Sequence, residues 1–474
     1  MPTHPRNHVV REGEIATYHT WSRCVQRAYL CGFDPLTGIN FDYRREWIEE
    51  LLKYLASVFA VDVGNYHILS NHEHAILRTR PDIAAGWSDE EVAWRWKSAW
   101  PQFNGKIWIA QPTDEAIREL LILPQRIAAA RRNLASLSWF MARWKEPIAR
   151  LANAETNRRG HFYEQRFGCR ELEGDGAVLT CSIYLDLNQL KAGMADSLAA
   201  SDYSAIQLRI RQWQREQAEA SVQQFEGKRK QTHLQLEVAD VEQLLAGCFL
   251  APITDQGPLL LVNDSSRGPI RIPPVSIERS VLQETPGEAA AETAQPIASS
   301  QPITSLSEPL PTSTAVTERC TEAAVEAAQD AAPLPASGAQ PATSEEQPGA
   351  AQAERRRGRA QRPATYEIHQ RYRQRQRRRA SDHTILAISP ERYLQLAEWA
   401  AEQLRGKRSD TPPTELAGVL SGLGIKPERW SSAVQQFERL FGHAIGPAAE
   451  LAAFCQRAAQ RTLRGIRACR DVFT

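Results

Sequence analysis

The feature that most constrains the fold is an abrupt change of composition after residue 280. Residues 281–350 contain ten acidic residues, nine prolines and one basic residue, and they contain no aromatic residue. Such a segment cannot bury enough apolar surface to offset its conformational entropy, so we expect a disordered linker over 281–354. Folded structure is therefore expected on either side of this linker.

An arginine-rich segment, predicted over 355–380, follows the linker directly. Its residues 355–379 hold eleven arginines and one acidic residue, Glu367. The net charge of the whole chain is only +1 because the acidic and basic segments cancel. A run of arginines with interleaved tyrosines is typical of nucleic-acid contact, through phosphate neutralisation and base stacking. A merely solvated basic tail is the alternative.

Several protein classes are disfavoured by the rest of the composition. The 474 residues suggest two to four folded units. No apolar stretch is long enough to cross a membrane, and the first residues lack the apolar core of a secretory signal. The eight cysteines never form a C-x-x-C pair, which is typical of reduced thiols. We therefore expect a cytoplasmic protein without a membrane partner.

The N-terminal half alternates between two hydrophobic periodicities. Strand patterns cover 15–25, 61–69, 74–79 and 162–172, and helical patterns begin at Asp42 and cover 136–152 and 176–187. This order predicts an α+β domain built on one antiparallel sheet. The predicted domain spans 1–230, with a tryptophan-rich helical insertion over 83–133 and a tail over 231–280.

The C-terminal segment, 384–474, has helical patterns throughout. Ser389 followed by Pro390 is a typical helix start, and Pro427 and Pro447 begin further helical patterns. We expect an all-α C-terminal domain here, with DNA binding as its candidate role.

Two histidines flank Glu73 in a predicted hairpin that turns at Ser70 and Asn71. Because strand side chains alternate, His72 and His74 share one face, and Glu73 points to the other. Two imidazoles on one face can hold a divalent metal when a third ligand approaches from elsewhere. On spacing alone, two half-exposed strand histidines without a metal are favoured over a metal site.

Tyr184 and Asn188 are four residues apart in a stretch with a helical pattern. Residues at i and i+4 lie on the same side of a helix, so a hydroxyl and an amide would be presented together. Taken alone, this spacing favours an ordinary packing tyrosine.

Together these segments resemble a known family. Residues 66–77, YHILSNHEHAIL, resemble the N-H-x-H segment of the single-tyrosine HUH transposases. Residues 160–167 are similar to that family's G-x-h-W-x-x-R-F strand, in which h is hydrophobic, and 184–193, YLDLNQLKAG, to its tyrosine helix. Residues 18–23 fit its first strand. Within the family, the resemblance is to REP-associated tyrosine transposase-like proteins, and it covers 384–474 only loosely.

The resemblance implies a fold and a mechanism. The fold is a ferredoxin-like antiparallel sheet with helices on one face. His72, His74 and Asn188 would hold Mg²⁺ or Mn²⁺ against a scissile phosphate of single-stranded or hairpin DNA. Tyr184 would then attack phosphorus and form a 5′-phosphotyrosine, so the protein would be a DNA nickase and strand transferase. The resemblance also implies a bacterial, nucleoid-associated protein and allows a homodimer.

Three positions depart from the family pattern. Glu73 occupies a position that is usually apolar, so it should pair with an arginine, stay protonated or lie at an exposed edge. Gln189 replaces a proline, and Tyr163 replaces an aromatic residue that is often tryptophan. Tyr163 is an alternative nucleophile, but it has no amide partner four residues later, so Tyr184 is preferred.

Charge predicts which residues contact DNA phosphates. The candidates are Arg166, Arg170, Lys191, Arg355, Arg356, Arg357, Arg371, Arg373 and Arg377. Two other functions stay open. One is a catalytically inactive nucleic-acid-binding protein that retains the transposase fold. The other is an RNA-binding module, which is less favoured because the sequence lacks a pair of stacking aromatics in the RNP pattern.

Overall fold

The computed structural model describes most of the two regions that flank the predicted linker. The described residues are 9–25, 31–35, 38–100, 102–103, 107–108, 112–226, 249–255, 276–277, 379–406, 411–458 and 463–474. The described residues belong to one compact unit, which falls within 1–281 and 363–474. The acidic linker and nearly all of the arginine-rich segment lie outside the described residues. Within the described ranges, no helix has the length and apolar character needed to span a bilayer.

Within the described ranges, eight strands form two sheets. In chain order they are β1 Ala16–Arg23, β2 Val61–Ile68, β3 His72–Thr79, β4 Gln102–Phe103, β5 Ile107–Trp108, β6 Gly168–Leu172, β7 Ser276–Ile277 and β8 Ala444–Ile445. The central sheet has the spatial order β2-β3-β1-β6-β8, and β4, β5 and β7 form a small separate sheet.

Fifteen helices lie within the described residues. They are α1 Arg44–Val58, α2 Pro81–Ala85, α3 Asp89–Ser98, α4 Asp114–Leu121, α5 Pro124–Leu134, α6 Leu137–Glu155, α7 Gly174–Asp186, α8 Asn188–Lys191, α9 Ala205–Glu226, α10 Pro390–Leu404, α11 Thr414–Gly422, α12 Pro427–Gln435, α13 Phe437–Leu440, α14 Ala448–Arg457 and α15 Ile466–Val472. The described part of 384–474 is therefore mainly helical, but it is not all-α as we expected, because it also contains β8.

The predicted order of elements in the N-terminal half is confirmed. β1, α1, β2, β3, α6, β6 and α7 follow one another, with α3–α5 inside the predicted insertion. α1 forms because its apolar residues recur near every 3.6 positions. Its buried stripe includes Trp47, Ile48, Leu51, Leu52, Leu55 and Val58. The strand predicted over 162–172 is shorter, since β6 begins at Gly168 and Tyr163 makes only an isolated bridge with Cys24.

The central sheet is mixed, whereas the sequence predicted an antiparallel one. β2, β3, β1 and β6 are antiparallel to their neighbours, as expected. β8 adds to the edge of β6 in parallel. Because β8 comes from the C-terminal segment, no pattern within the N-terminal half could predict it.

Helices cover both faces of this sheet, whereas we expected them on one. Tyr66 of β2 donates a hydrogen bond to Glu49 of α1, and the indole of Trp144 in α6 donates to the α1 backbone. The preceding strand residue, Asn65, points to the opposite face and donates to Asp186 of α7 at 2.9 Å. The helices α1 and α6 therefore share one face, and α7 lies on the other.

The C-terminal helices pack against α7. The indole of Trp430 in α12 donates to the hydroxyl of Thr180 at 3.2 Å. Tyr393 of α10 donates to Asp186 at 2.6 Å. Because both acceptors belong to α7, the helix that carries Tyr184 is held between the sheet and the C-terminal helices.

Candidate active site

Three histidines lie side by side on one face of the central sheet. His72 and His74 alternate along β3 as the strand pattern predicts, and their ring centroids are 5.0 Å apart. On β1, Trp21 is paired with His74, so His19 lies diagonally across from His74 on the same face. The rings of His19 and His74 stack with their centroids 5.1 Å apart.

Burial keeps these imidazoles neutral. Loss of hydration lowers the pKa of His19 and His74 well below the ordinary histidine value. Burial also lowers the pKa of His72, to about 4. A neutral imidazole carries a nitrogen lone pair, which is the form that binds a metal ion.

Tyr184 of α7 faces these histidines. Its ring centroid lies 6.2 Å from that of His19 and 6.1 Å from that of His74. The ring stacks on Phe437 of α13, with centroids 4.5 Å apart and planes inclined by 13°. The hydroxyl donates a hydrogen bond to Glu438 at 3.2 Å. Burial, followed by the negative charge of Glu438, raises the pKa of Tyr184 above its usual value, so the phenol keeps its proton.

Glu438 completes a group of three potential metal ligands. One nitrogen each of His19 and His74 and a carboxylate oxygen of Glu438 all lie within 4.8 Å of one another. Two imidazoles and a carboxylate suit first-row divalent ions such as Mn²⁺ or Zn²⁺. The Glu438 side chain is 49% exposed, so the group is open to solvent at this end.

The ligand set implied by the resemblance overlaps this group only at His74. The His72 ring lies beside it, and its Nδ1 atom is 2.5 Å from the side-chain oxygen of Asn71. Asn188 begins α8, and Leu187 keeps the backbone right-handed helical between α7 and α8. Asn188 thus follows Tyr184 by about one turn. Its side chain is buried, and its amide nitrogen has no hydrogen-bond partner. The roles of His72 and Asn188 as ligands stay predictions.

Glu73 lies on the opposite face and is buried. Its partner is Lys145 of α6, which forms an ion pair with it, and not an arginine, which was one of the three arrangements that we expected. The Lys145 ammonium also sits 3.6 Å from the ring centroid of Trp144. Burial raises the pKa of Glu73, whereas the charge of Lys145 opposes that rise. The lysine therefore compensates for the buried negative charge of this carboxylate.

Tyr163, the alternative nucleophile, lies on the same side as this ion pair. Lys145 is 5.7 Å from the Tyr163 ring centroid. The Tyr163 hydroxyl is buried without a hydrogen-bond partner. Because Glu73 and His74 point to opposite faces, Tyr163 is separated from the histidines by the sheet. Tyr184 is the better candidate on geometry.

The predicted DNA contacts of the N-terminal half have different environments. Arg166 is exposed. Arg170 is buried, donates to Glu438 at 2.7 Å and lies 4.8 Å from the Trp21 ring centroid. Lys191 donates to the carbonyl oxygens of Val434 and Gln435 at 3.1 and 3.4 Å. The remaining candidates lie outside the described residues: Arg355, Arg356, Arg357, Arg371, Arg373 and Arg377.

The sequence did not single out His19, Phe437 or Glu438. His19 lies in a strand segment that the resemblance covers, two residues before Trp21, so the two side chains share one face of β1. Only the register between β1 and β3 shows that this is also the face of His74. Glu438 is 254 residues from Tyr184, and no local pattern links the two.

Comparisons of this chain with protein-family models, with curated proteins and with solved structures find no match.

Proposed function

We propose that this protein is a metal-dependent DNA nickase and strand transferase that acts on single-stranded hairpin DNA through Tyr184. The supporting observation is that a phenol on a late helix faces imidazoles on early strands. The centroid of the Tyr184 ring lies 6.2 Å from that of His19 and 6.1 Å from that of His74. A tyrosine nucleophile beside metal-binding nitrogens is what phosphoryl transfer of this kind requires.

The proposed reaction exchanges one ester of phosphorus for another. The phenolic oxygen of Tyr184 forms a bond to phosphorus as the bond to the 3′ oxygen breaks, giving a 5′-phosphotyrosine and a free 3′-hydroxyl. The phenol loses one proton and the 3′ oxygen gains one. A later 3′-hydroxyl reverses the step and joins two strands. A phenol with a pKa near ~10 is a better leaving group than an alcohol, and the retained ester energy makes ATP unnecessary.

The residues at this site fit a divalent cation. When bound, Mg²⁺ or Mn²⁺ would withdraw charge from the phosphoryl oxygens and orient them for in-line attack. The resemblance implies His72, His74 and Asn188 as ligands, and the structure groups His74 with His19 and Glu438. Because His74 belongs to both sets, we propose it as the ligand that they share.

The fold gives further support. The order β2-β3-β1-β6, with α1 and α6 on one face, corresponds to a ferredoxin-like β-α-β-β-α-β unit. We propose that this unit is of the HUH transposase type, with α7 carrying the tyrosine on the other face. The cytoplasmic, nucleoid-associated location and the homodimer stay predictions.

A second candidate function is nucleic-acid binding without cleavage. It is favoured by the surroundings of Tyr184, whose hydroxyl is bound to Glu438 and whose ring is covered by Phe437. A protein that had lost turnover could retain such a closed arrangement.

A covalent-adduct assay separates the two functions. The full chain is incubated with hairpin oligonucleotides and Mn²⁺, and protein joined to DNA is detected by denaturing electrophoresis. We expect an adduct that Tyr184→Phe abolishes and that the matched control Tyr163→Phe retains. DNA binding without an adduct under any condition would leave only the non-catalytic function.

A further inference from the structure

One short segment, residues 434–438, contacts three residues that the sequence assigns to chemistry or DNA binding. We call it the clamp segment. Its backbone carbonyls accept hydrogen bonds from Lys191. Its glutamate accepts hydrogen bonds from Arg170 and from Tyr184. Its phenylalanine stacks on the Tyr184 ring. The same five residues therefore bind both predicted phosphate-binding side chains, Arg170 and Lys191, and the predicted nucleophile, Tyr184.

The carboxylate of Glu438 has the neighbours that a scissile phosphate would need. In the proposed reaction, the scissile phosphate must contact three groups. They are the attacking oxygen, a cation that neutralises the charge of the phosphate, and the ion that the metal ligands would hold. The Glu438 carboxylate accepts a hydrogen bond from the Tyr184 hydroxyl at 3.2 Å and pairs with Arg170 at 2.7 Å. It also lies within 4.8 Å of nitrogens of His19 and His74.

Phe437 occupies a second position that DNA would need. Its ring lies parallel to the Tyr184 ring, and the Arg170 guanidinium is 5.3 Å from its centroid. Unpaired bases bind proteins by stacking on aromatic rings and on arginine. Phe437 therefore fills the place where a base next to the scissile phosphate would stack.

We propose that the clamp segment is a built-in substrate mimic, in which Glu438 marks the scissile-phosphate position and Phe437 marks a neighbouring base. Single-stranded DNA must displace it before Tyr184 can reach phosphorus. This inference rests on the proposed function, because it assigns a position to that function's substrate.

The contacts of Glu438 suit a reversible mimic. Its side chain is 49% exposed, whereas that of Arg170 is 7% exposed, so a DNA phosphate approaching from solvent can compete with the carboxylate for the arginine. The clamp segment spans the end of α12 and the start of α13, and α13 has only four residues. Trp430, earlier on α12, is anchored to α7 through Thr180. Phe437 is fully buried against Tyr184 and His19, so displacement of the clamp segment must open that packing, whereas Trp430 holds the earlier part of α12 on α7.

The test measures DNA binding separately from cleavage. Binding of a fluorescent single-stranded hairpin oligonucleotide to the full chain is followed by anisotropy in EDTA, so that no metal-dependent step occurs. The test variant is Glu438→Gln, which keeps the side-chain volume. The matched control is Glu428→Gln, which removes the same charge from an exposed position on α12. Thermal unfolding confirms that both variants are folded.

We expect Glu438→Gln to bind DNA about tenfold more tightly than the wild type. This is the change expected when the state without the clamp rises from about a tenth of the molecules to nearly all of them. Glu428→Gln should bind like the wild type apart from the small effect of one lost charge. Equal affinities of the two variants would overturn the inference.

The adduct assay, run in parallel, keeps the two proposals separable. Tighter binding by Glu438→Gln with no adduct in any variant would retain the clamp and refute the nickase. If wild type and Glu438→Gln formed the adduct equally and bound DNA with equal affinity, the nickase would be retained and the clamp refuted.

Discussion

The Nε2 atom of His19 lies 2.9 Å from the Nδ1 atom of His74, although 55 residues separate them in the sequence. The pairing of β1 with β3 brings the two rings together on one face. Because burial lowers the pKa of both, neither ring is charged, and a single proton is shared between the facing nitrogens. A divalent ion can take the place of that proton when the donor ring carries it on its other nitrogen instead, since both facing nitrogens then have a lone pair for the ion.

This relationship leads to a prediction about metal binding in the absence of DNA. We expect His74→Ala and His19→Ala each to weaken Mn²⁺ binding at least about tenfold, whereas His72→Ala should change it little. The reason is that Glu438, His19 and His74 form the ligand group when the clamp segment is in place. Isothermal titration calorimetry of the full chain measures the affinities. Loss of binding in His72→Ala but not in His19→Ala would instead assign the ion to the set implied by the resemblance.

The two candidate tyrosines should also differ in their effect on stability. The Tyr163 hydroxyl is buried without a partner, so Tyr163→Phe should be neutral or raise the free energy of unfolding. The Tyr184 hydroxyl donates to Glu438, so Tyr184→Phe should lower it by about 1 kcal/mol. Urea denaturation of both variants tests this difference. A larger loss for Tyr163→Phe would mean that its hydroxyl has a partner in solution.

Local patterns predicted the elements that depend on neighbours in sequence. The alternation of His72 and His74 fixed their common face, and the spacing of Tyr184 and Asn188 fixed their common side of a helix. What the sequence could not supply was contact between distant segments. Three contacts show this: Lys145 pairs with Glu73, His19 stacks on His74, and Glu438 accepts a hydrogen bond from Tyr184. In each contact the two residues belong to different elements, and only packing brings them together. The parallel addition of β8 belongs to the same class.

The buried ion pair on the opposite face gives a stability prediction. Lys145→Met should lower the free energy of unfolding by about 3–5 kcal/mol, because it leaves the Glu73 carboxylate buried without a counter-charge. The double variant Glu73→Leu with Lys145→Met should recover most of that loss, since it removes both charges. Urea denaturation at pH 7 measures all three proteins.

The control for this pair is an ion pair nearer the surface of the same helix. Glu146 pairs with Arg143 at 3.0 Å, and its side chain is 40% exposed. Glu146→Gln should therefore cost at most about 1 kcal/mol. Equal losses for Glu146→Gln and Lys145→Met would contradict the assignment of Lys145 as the essential partner of Glu73.

The buried histidines predict how stability depends on pH. The pKa of His72 falls to about 4 in the folded chain, that of His67, which is paired with His74, to about 3, and those of His19 and His74 fall well below 6.5. In the unfolded chain all four would bind protons near pH ~6.5. As the pH falls through 6.5 toward about 4, the unfolded chain takes up protons that the folded chain does not, so these histidines make folding less favourable. Above pH 7 they have no such effect.

A variant isolates this contribution from carboxylates that act in the opposite direction. The pKa of Glu171 is raised to about 8 by burial and by neighbouring Glu173, so protonation of Glu171 favours the folded chain as the pH falls through 8. The comparison is therefore between wild type and His72→Asn, by urea denaturation from pH 7 to pH 5. We expect the free energy of unfolding to fall less steeply in the variant, by up to about 1.4 kcal/mol per pH unit. Parallel profiles for wild type and His72→Asn would show that this imidazole takes up its proton equally in the folded and unfolded chains.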